Sequence, residues 1–237
     1  MLRLFFFILL SFKVLTSFSQ CVIDTSYSVP GIYPDPLPDG YVGQPYSEDR
    51  LFYWLDWLKP QEFFVADYWE DKTQSIVSAK KWINWQKSYP NTTFIAVVQG
   101  KSYGEVVECY QTYKDLGYKK IAFSYGASYY NDIVTHPNKD LGKALGRISM
   151  ISTLLKIGVI SQFDRIHLLG CASPFEFSLY KGFDCIESID TSNPVMAGLE
   201  DILYDDHGLN KKPKANMNDH FDTKFEDIQY EDILHNT

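Results

Sequence analysis

The sequence lacks the cysteine pairs and the glycine fingerprint that mark common cofactor sites. Its four cysteines (Cys21, Cys109, Cys171 and Cys185) form no C-x-x-C pair, and no histidine lies at ligand spacing from two of them. This argues against a structural zinc site, and the spacing does not indicate disulfides. No G-x-G-x-x-G follows a predicted strand, which argues against dinucleotide binding. We therefore expect no metal and no cofactor.

Positive charge is in the minority. The 22 Lys and Arg residues face 30 Asp and Glu residues, for a net charge of −8. The surface as a whole therefore repels phosphate backbones, and nucleic-acid binding would need a local basic patch. Lys119–Lys120 and the group Lys211, Lys212 and Lys214 are candidates, although such groups are more often solvated surface.

No hydrophobic run is long enough to span a bilayer. The longest apolar stretch near the N-terminus is Leu4–Leu10, which is too short, so we predict no stable membrane span. Arg3 precedes this stretch, and Ser17 and Ser19 follow it as a −3/−1 cleavage pair. Residues 1–19 are therefore predicted to be an export signal, which indicates a secreted protein.

The remaining sequence divides by composition. Residues 20–50 are rich in proline and glycine, which predicts an extended linker. Residues 51–205 carry the apolar periodicity of one globular domain, because 45% hydrophobic and 16% aromatic residues exclude general disorder. Residues 206–237 are acidic and are predicted to be irregular.

Strand and helix patterns alternate through the central domain. Apolar runs predict five strands, at 63–66, 94–98, 120–123, 165–169 and 185–189. Helical spacing predicts helices between them: one around 76–83, one ended by Gly117, one over 141–157 ended by Gly158, and a short one begun by Ser173–Pro174. Such alternation implies an α/β fold with a parallel sheet buried on both faces.

Polar and glycine residues follow the predicted strands. Those at the carboxyl ends are Asp67, Gln99, Gly126, Gly170 and Asp190. Because barrel enzymes build their sites at this end of the strands, the placement favours an incomplete (β/α)8 TIM-like barrel. An open parallel α/β sheet is the alternative, since five strands fit both.

Four segments, in order, resemble the queuine- and archaeosine-type tRNA-guanine transglycosylases, in a distant phage-type or DNA-modifying branch. The resemblance runs from Phe64 to Pro194, a little over half of the chain. The segments FVAD, VQG with IAFSYGA, LLGCASP and SID followed by Pro194 are similar to the family's MAFDEC, VQGG with AIGGL, LMGVGTP and MFDCVxP. Cys171 replaces a small hydrophobic residue, and the second glycine of both Gly-Gly pairs is absent.

The resemblance implies a function and a set of roles. The chain would exchange or recognise guanine or 7-deazaguanine in tRNA or DNA, as a queuine tRNA-ribosyltransferase-like pentosyltransferase. Asp190 would be the nucleophile that forms a covalent glycosyl intermediate. Asp67 and Gln99 would bind the purine edge, with Gly100, Gly126 and Gly170 in the same substrate pocket.

Aromatic residues are the candidates for stacking on an extruded base. The resemblance assigns this role to Tyr68, Tyr103 or Tyr125.

Other interpretations stay open. Asp184 competes for the nucleophile role because Phe183-Asp184-Cys185 repeats the letters F-D-C, but it lies at the start of its strand. The family's DSGGFQ segment, which carries the general base, is absent, as is its zinc motif; this is consistent with an inactive or truncated relative. A cytoplasmic enzyme body also conflicts with the export signal.

Two other functions are compatible with the sequence, and two residues are predicted to have only structural roles. The chain could be a secreted, non-catalytic binding module on a degenerate barrel, or a glycoside hydrolase that pairs Asp67 with Glu187 or Asp190. His167, within a strand, is predicted to be a satisfied core histidine, and Cys171 a buried small hydrophobe. The choice between RNA and DNA, the inserted base and the oligomeric state are not indicated.

Overall fold

The computed structural model describes residues 48–125, 127–171, 174–191, 193–204 and 230–235. The predicted export signal, nearly all of the predicted linker, Gly126 and the basic group Lys211, Lys212 and Lys214 lie outside these ranges. Within them, no helix is both long enough and apolar enough to cross a membrane.

Five parallel strands form one sheet in the order in which they occur along the chain. The strands are β1 (Glu62–Phe64), β2 (Thr93–Val98), β3 (Lys120–Phe123), β4 (Ile166–Leu168) and β5 (Ile186–Ile189). Each of the five predicted strands is confirmed to within two residues at either end. The sheet is curled into a half-barrel, as sequential strand order with helical crossovers allows.

Helices alternate with the strands. They are α1 (Glu48–Leu58), α2 (Lys72–Ile83), α3 (Tyr103–Asp115), α4 (Tyr130–Ile133), α5 (Lys139–Lys156), α6 (Pro174–Leu179), α7 (Asn193–Leu199) and α8 (Tyr230–His235), with a 3₁₀ turn at Asn84–Ser88. The predicted helix ends are confirmed: α3 ends just before Gly117 and α5 just before Gly158. Gly158 has φ +76°, a conformation that glycine adopts without steric cost.

The structure differs from the predicted boundaries at both ends of the domain. Helix α1 begins at Glu48, inside the range predicted to be linker, and α8 lies in the range predicted to be irregular. Helix α8 packs on α7, where the side chain and backbone of Ile233 lie against Gly198. Neither α7 nor α8 was predicted, because both are too short to show a helical period in sequence.

The two faces of the sheet have different neighbours. One face packs against the helices, and its strand residues include Phe63, Phe94, Ile121, Leu168 and Ile189. The opposite face, called here the inner face, carries a smaller cluster of Phe64, Ile95, Val97, Ala122 and Leu169. Strand residues therefore alternate between two buried surfaces, which is why the strands read as continuous apolar runs.

Contacts across the inner face show how strongly the sheet curls. In a flat sheet, β1 and β4 would lie about 14 Å apart, because neighbouring strands are about 4.8 Å apart. The rings of Phe64 on β1 and His167 on β4 nevertheless lie 4.9 Å apart, centroid to centroid. Curling therefore folds the inner face onto itself, as in a barrel.

A buried ion pair lies between the sheet and helices α5 and α6. Arg147 and Glu176 are both 0% exposed, and Arg147 Nε donates to Glu176 Oε1 at 3.0 Å. Arg147 Nη1 also donates to the carbonyl of Leu169 at 2.6 Å. Burial acts to lower the pKa of Arg147, but Glu176 together with Cys171, Tyr180 and Tyr130 outweighs it, so the guanidinium stays charged. The pair fixes both helices to the carboxyl end of β4.

We expect Arg147→Met to destabilise the fold by about 3–5 kcal/mol, because it leaves the Glu176 charge in the interior without its guanidinium. The double variant Arg147→Met/Glu176→Met should recover most of this loss, since no buried charge then remains. Urea unfolding gives both values. Lys156→Met, at an exposed position of the same helix, is the control and should change stability by less than about 0.5 kcal/mol. A double variant no more stable than the single one would contradict the explanation.

Candidate functional site

Asp67 and Gln99 are in direct contact at the carboxyl edge of β1 and β2. Gln99 is buried, and its Nε2 donates to Asp67 Oδ2. Its other polar atom, Oε1, accepts from the backbone N–H of Glu70 at 3.0 Å. Two residues predicted to share one ligand therefore do lie together, and in the free chain they satisfy each other.

The loop after β1 is held in a strained shape by these contacts. Glu70 has φ +52°, which is unfavourable for a residue other than glycine. Its carboxylate accepts from the backbone N–H of Ser128 at 2.7 Å, and hydrogen bonds from Ser128 lower the pKa of Glu70. The loop is thus fastened on one side to β2 through Gln99 and on the other to the segment after β3.

The carboxyl group of Asp67 is poorly solvated although the residue as a whole is exposed. Its acceptor oxygen faces the buried Gln99 side chain. Desolvation raises the pKa of Asp67, and the hydrogen bond from Gln99 opposes that rise only in part. A carboxyl group that is readily protonated can both donate to and accept from a ligand such as a purine edge.

Asp190 is anchored at the carboxyl end of β5. It is 5% exposed, and its Oδ1 accepts from the backbone N–H of Gly170. Its own backbone N–H donates to the carbonyl of Leu168 at 3.1 Å, and its carbonyl accepts from Cys171 N at 2.9 Å. Gly170 therefore holds one carboxylate oxygen, and the bonds to Leu168 and Cys171 fix the backbone of Asp190. The second oxygen, Oδ2, lies on the inner face of the sheet.

His167 supplies the group that this second oxygen faces. Its Nε2 lies 3.9 Å from Asp190 Oδ2, and its Nδ1 lies 2.8 Å from the hydroxyl of Ser188. The prediction of a satisfied core histidine is wrong in one respect. The ring is fully buried, as expected, but Nε2 has no hydrogen-bond partner among the described residues.

The predicted glycines have structural reasons for their size. A Cβ on Gly100 would lie 2.9 Å from Glu105 Cβ, so glycine is needed where β2 meets α3. Gly170 has φ +61°, and this conformation turns its N–H toward Asp190. Gly126 lies outside the described residues. Whether any of the three contacts a substrate stays a prediction.

Three charged residues named from the sequence are placed elsewhere. Asp184 is exposed and precedes β5, at the opposite end of the strand from Asp190. The carboxylate of Glu187 is held by Arg165 at 2.9 Å, away from the carboxyl edge. Lys120 belongs to neither a basic surface patch nor a solvated face, because it is 1% exposed and pairs with Glu62 at 2.8 Å.

Two of the predicted stacking residues are exposed, and the third lies beside Arg147. Tyr68 and Tyr103 are 41% and 36% exposed, and Trp69, which was not predicted from the sequence, is 61% exposed. Its signal was its position, two residues after the strand-end Asp67. Tyr125 is half-buried, and its ring is contacted by the guanidinium of Arg147 at 5.4 Å.

The pair of Asp67 and Gln99 and the pair of Asp190 and His167 are connected through the inner face of the sheet. Asp67 follows β1, whose Phe64 touches the ring of His167, and His167 faces Asp190. The curl that brings β1 against β4 therefore also brings the carboxyl edges of β1 and β5 toward the same side of the half-barrel. In the part of the chain that the structure describes, no three His, Cys, Asp or Glu side chains are grouped as a metal site would require.

Comparison of the sequence with models of known protein families found no match, and comparison with curated proteins found none either. The geometry of the residues is therefore the basis for assigning a function.

The raised pKa of Asp67 predicts a pH-dependent effect of Asp67→Asn. The folded state favours the protonated carboxyl, so the wild-type chain loses stability as pH rises from the unfolded pKa through the higher folded pKa. Asparagine cannot ionise, so we expect the variant to gain stability relative to wild type between about pH 4 and 7. Urea unfolding across this range measures the difference.

Asp71→Asn is the matched control, with the opposite sign. Asp71 caps α2, and hydrogen bonds from Gln74, first that of its backbone N–H, lower the pKa of the carboxyl. Its stabilising effect is present above the unfolded pKa and lost as pH falls, so this variant should lose stability toward neutral pH. If the stability of both variants relative to wild type changed with pH in the same direction, the pKa of Asp67 would not be raised in the folded state.

Proposed function

We propose that the chain is a pentosyltransferase-like enzyme that exchanges guanine or a 7-deazaguanine in nucleic acid, as the tRNA-guanine transglycosylases it resembles do. The half-barrel would form part of a (β/α)8 barrel. The observation that carries the proposal is the Asp190 carboxylate, anchored by the Gly170 N–H at the carboxyl edge of the sheet. A nucleophilic carboxylate needs such fixed positioning toward the sugar.

The contact between Asp67 and Gln99 supports the same function. A purine presents adjacent donors and acceptors on one edge, and a carboxyl group beside a carboxamide matches that pattern. In the free chain the two side chains hydrogen-bond to each other, so neither is left unsatisfied when no base is bound. Base binding would exchange this bond for bonds to the ligand.

The exposed aromatic residues that follow β1 and β2 support access of a nucleic acid rather than of a free sugar. Tyr68, Trp69 and Tyr103 are all exposed to solvent. Base stacking on aromatic side chains typically contributes about 1–3 kcal/mol per base and tolerates any sequence. Such a surface suits a strand from which one nucleotide is extruded.

The proposed reaction is a double displacement at the anomeric carbon. An Asp190 oxygen forms a bond to this carbon as the bond between the carbon and the purine nitrogen breaks. The electron pair of the broken bond goes to the nitrogen, which takes up a proton. The incoming base then gives up a proton, attacks the same carbon, and returns the ester electron pair to Asp190. One proton is taken up and one released, so the exchange is balanced and needs no redox partner.

Covalent trapping tests the proposal. The full chain is incubated with a guanine-containing RNA or DNA oligonucleotide and examined on a denaturing gel. We expect a covalent adduct whose yield falls to background in Asp190→Ala, because the nucleophile is gone. Asp184→Ala is the matched control and should retain the adduct, since that residue is exposed before β5.

The two oligonucleotides distinguish the substrates. An adduct with only one of them identifies RNA or DNA as the substrate. An adduct that persists in Asp190→Ala, or no adduct with either oligonucleotide in the wild-type chain, would refute the proposed function.

A further inference from the structure

His167 carries a buried polar atom without a hydrogen bond. Its ring is 0% exposed, Nε2 has no hydrogen-bond partner in the part of the chain that the structure describes, and the Asp190 carboxylate lies 3.9 Å from it. A buried, unsatisfied donor or acceptor typically costs about 1–3 kcal/mol. The protein tolerates this cost at a position that faces the proposed nucleophile.

The contacts of both ring nitrogens of His167 together indicate where its proton lies. If Nδ1 were protonated and donated to Ser188 Oγ, the Nε2 lone pair would face the negatively charged Oδ2 of Asp190. If the Ser188 hydroxyl donates to Nδ1, Nε2 is protonated and its N–H faces the carboxylate. Of the two neutral tautomers, only the second places an N–H opposite the Asp190 carboxylate, and the Ser188 hydroxyl can donate to Nδ1 to match it.

We propose that His167 is a positioning residue for Asp190, whose carboxylate is oriented by the Nε2–H of the imidazole for attack on the sugar. This inference rests on the proposed function. The 3.9 Å separation is too long for a hydrogen bond, and such contacts commonly shorten only when substrate is bound. Gly170 then holds one oxygen of Asp190 and His167 the other, so that the carboxylate keeps one orientation toward the sugar.

The other groups around His167 leave this pairing undisturbed. Phe64 covers one side of the ring, and Ala122 is its paired neighbour on β3. The charged residues of the same face lie nearer the amino ends of the strands and are engaged with one another: Glu62, Lys120, Arg165 and Glu187. Asp190 is therefore the one charged group for which a contact with His167 is seen in the described part of the chain.

Two substitutions separate positioning from packing. His167→Leu keeps an apolar side chain of similar bulk but removes the donor, and we expect the trapping rate to fall on the order of 10- to 100-fold, as for other partners that orient a reactive group. His167→Gln places an amide N–H near the position of Nε2, so it should retain most of the rate. Urea unfolding establishes that both variants fold.

A spectroscopic measurement tests the pairing independently of turnover. Nitrogen-15 NMR of the histidine rings should show His167 protonated at Nε2, and the Nε2–H proton should shift in Asp190→Ala but not in Asp184→Ala. Ser188→Ala should weaken the preference for this tautomer. These readings stand even if no adduct forms, so failure of the proposed function is distinguishable from failure of the pairing.

Several outcomes would overturn the inference. A wild-type trapping rate in His167→Leu would show that no donor is needed. Equal impairment of the Leu and Gln variants would show that the ring serves only packing. Protonation at Nδ1 alone would leave Nε2 with a lone pair, rather than an N–H donor, opposite Asp190.

Discussion

The curl of the sheet depends on a lysine buried on the inner face. Lys120 on β3 pairs with both carboxylate oxygens of Glu62 on β1, at 2.8 and 2.9 Å, and lies 3.9 Å from Glu187 on β5. These three strands are alternate members of the sheet, and closed barrels build their interior layers from alternate strands in the same way. A buried ammonium must be paired, so the strands are held at the curvature that keeps both carboxylates within reach.

That curvature explains why the candidate site exists at the carboxyl edge. Lys120 and Arg165 pair with the carboxylates of Glu62 and Glu187 at the amino end of the inner face. Burial lowers the pKa of Lys120, and the Glu62 carboxylate opposes that shift only in part. Toward the carboxyl end the same face changes from paired charges to the apolar ring of Phe64, and then to His167 and Asp190. The electrostatic environment of Asp190 is therefore set by the residues next to it and not by the ion pairs at the amino end of the strands.

The elements of this fold could be predicted from the sequence more completely than the contacts between them. Strands and long helices follow from apolar periodicity and from glycines such as Gly158, which are local signals. The pairings of Lys120 and Arg147 are not local, since each joins residues from elements far apart in the chain. Arg147 gave one signal: it lies on the same helical stripe as Ala144 and Ile151, both of which are buried. A charge on an apolar stripe predicts a buried partner, although it does not say which one.

The candidate site shows the same limit. The positions of Asp67, Gln99 and Asp190 at strand ends followed from the pattern, and the structure brings the first two into contact. What the pattern could not show was the state of each polar atom. Gln99 has both of its polar atoms occupied, whereas His167 has one unoccupied, and only side-chain coordinates reveal that difference.

The buried ion pair and the candidate nucleophile are mechanically connected. The guanidinium of Arg147 binds the carbonyl of Leu169, the residue immediately before Gly170, and the N–H of Gly170 holds Asp190. Glu176 also fixes the position of the guanidinium, so Arg147 holds the loop that follows β4 in place. Breaking the buried ion pair would cost a large amount of free energy. Residues that determine stability and residues that orient the carboxylate are thus joined in one chain of contacts.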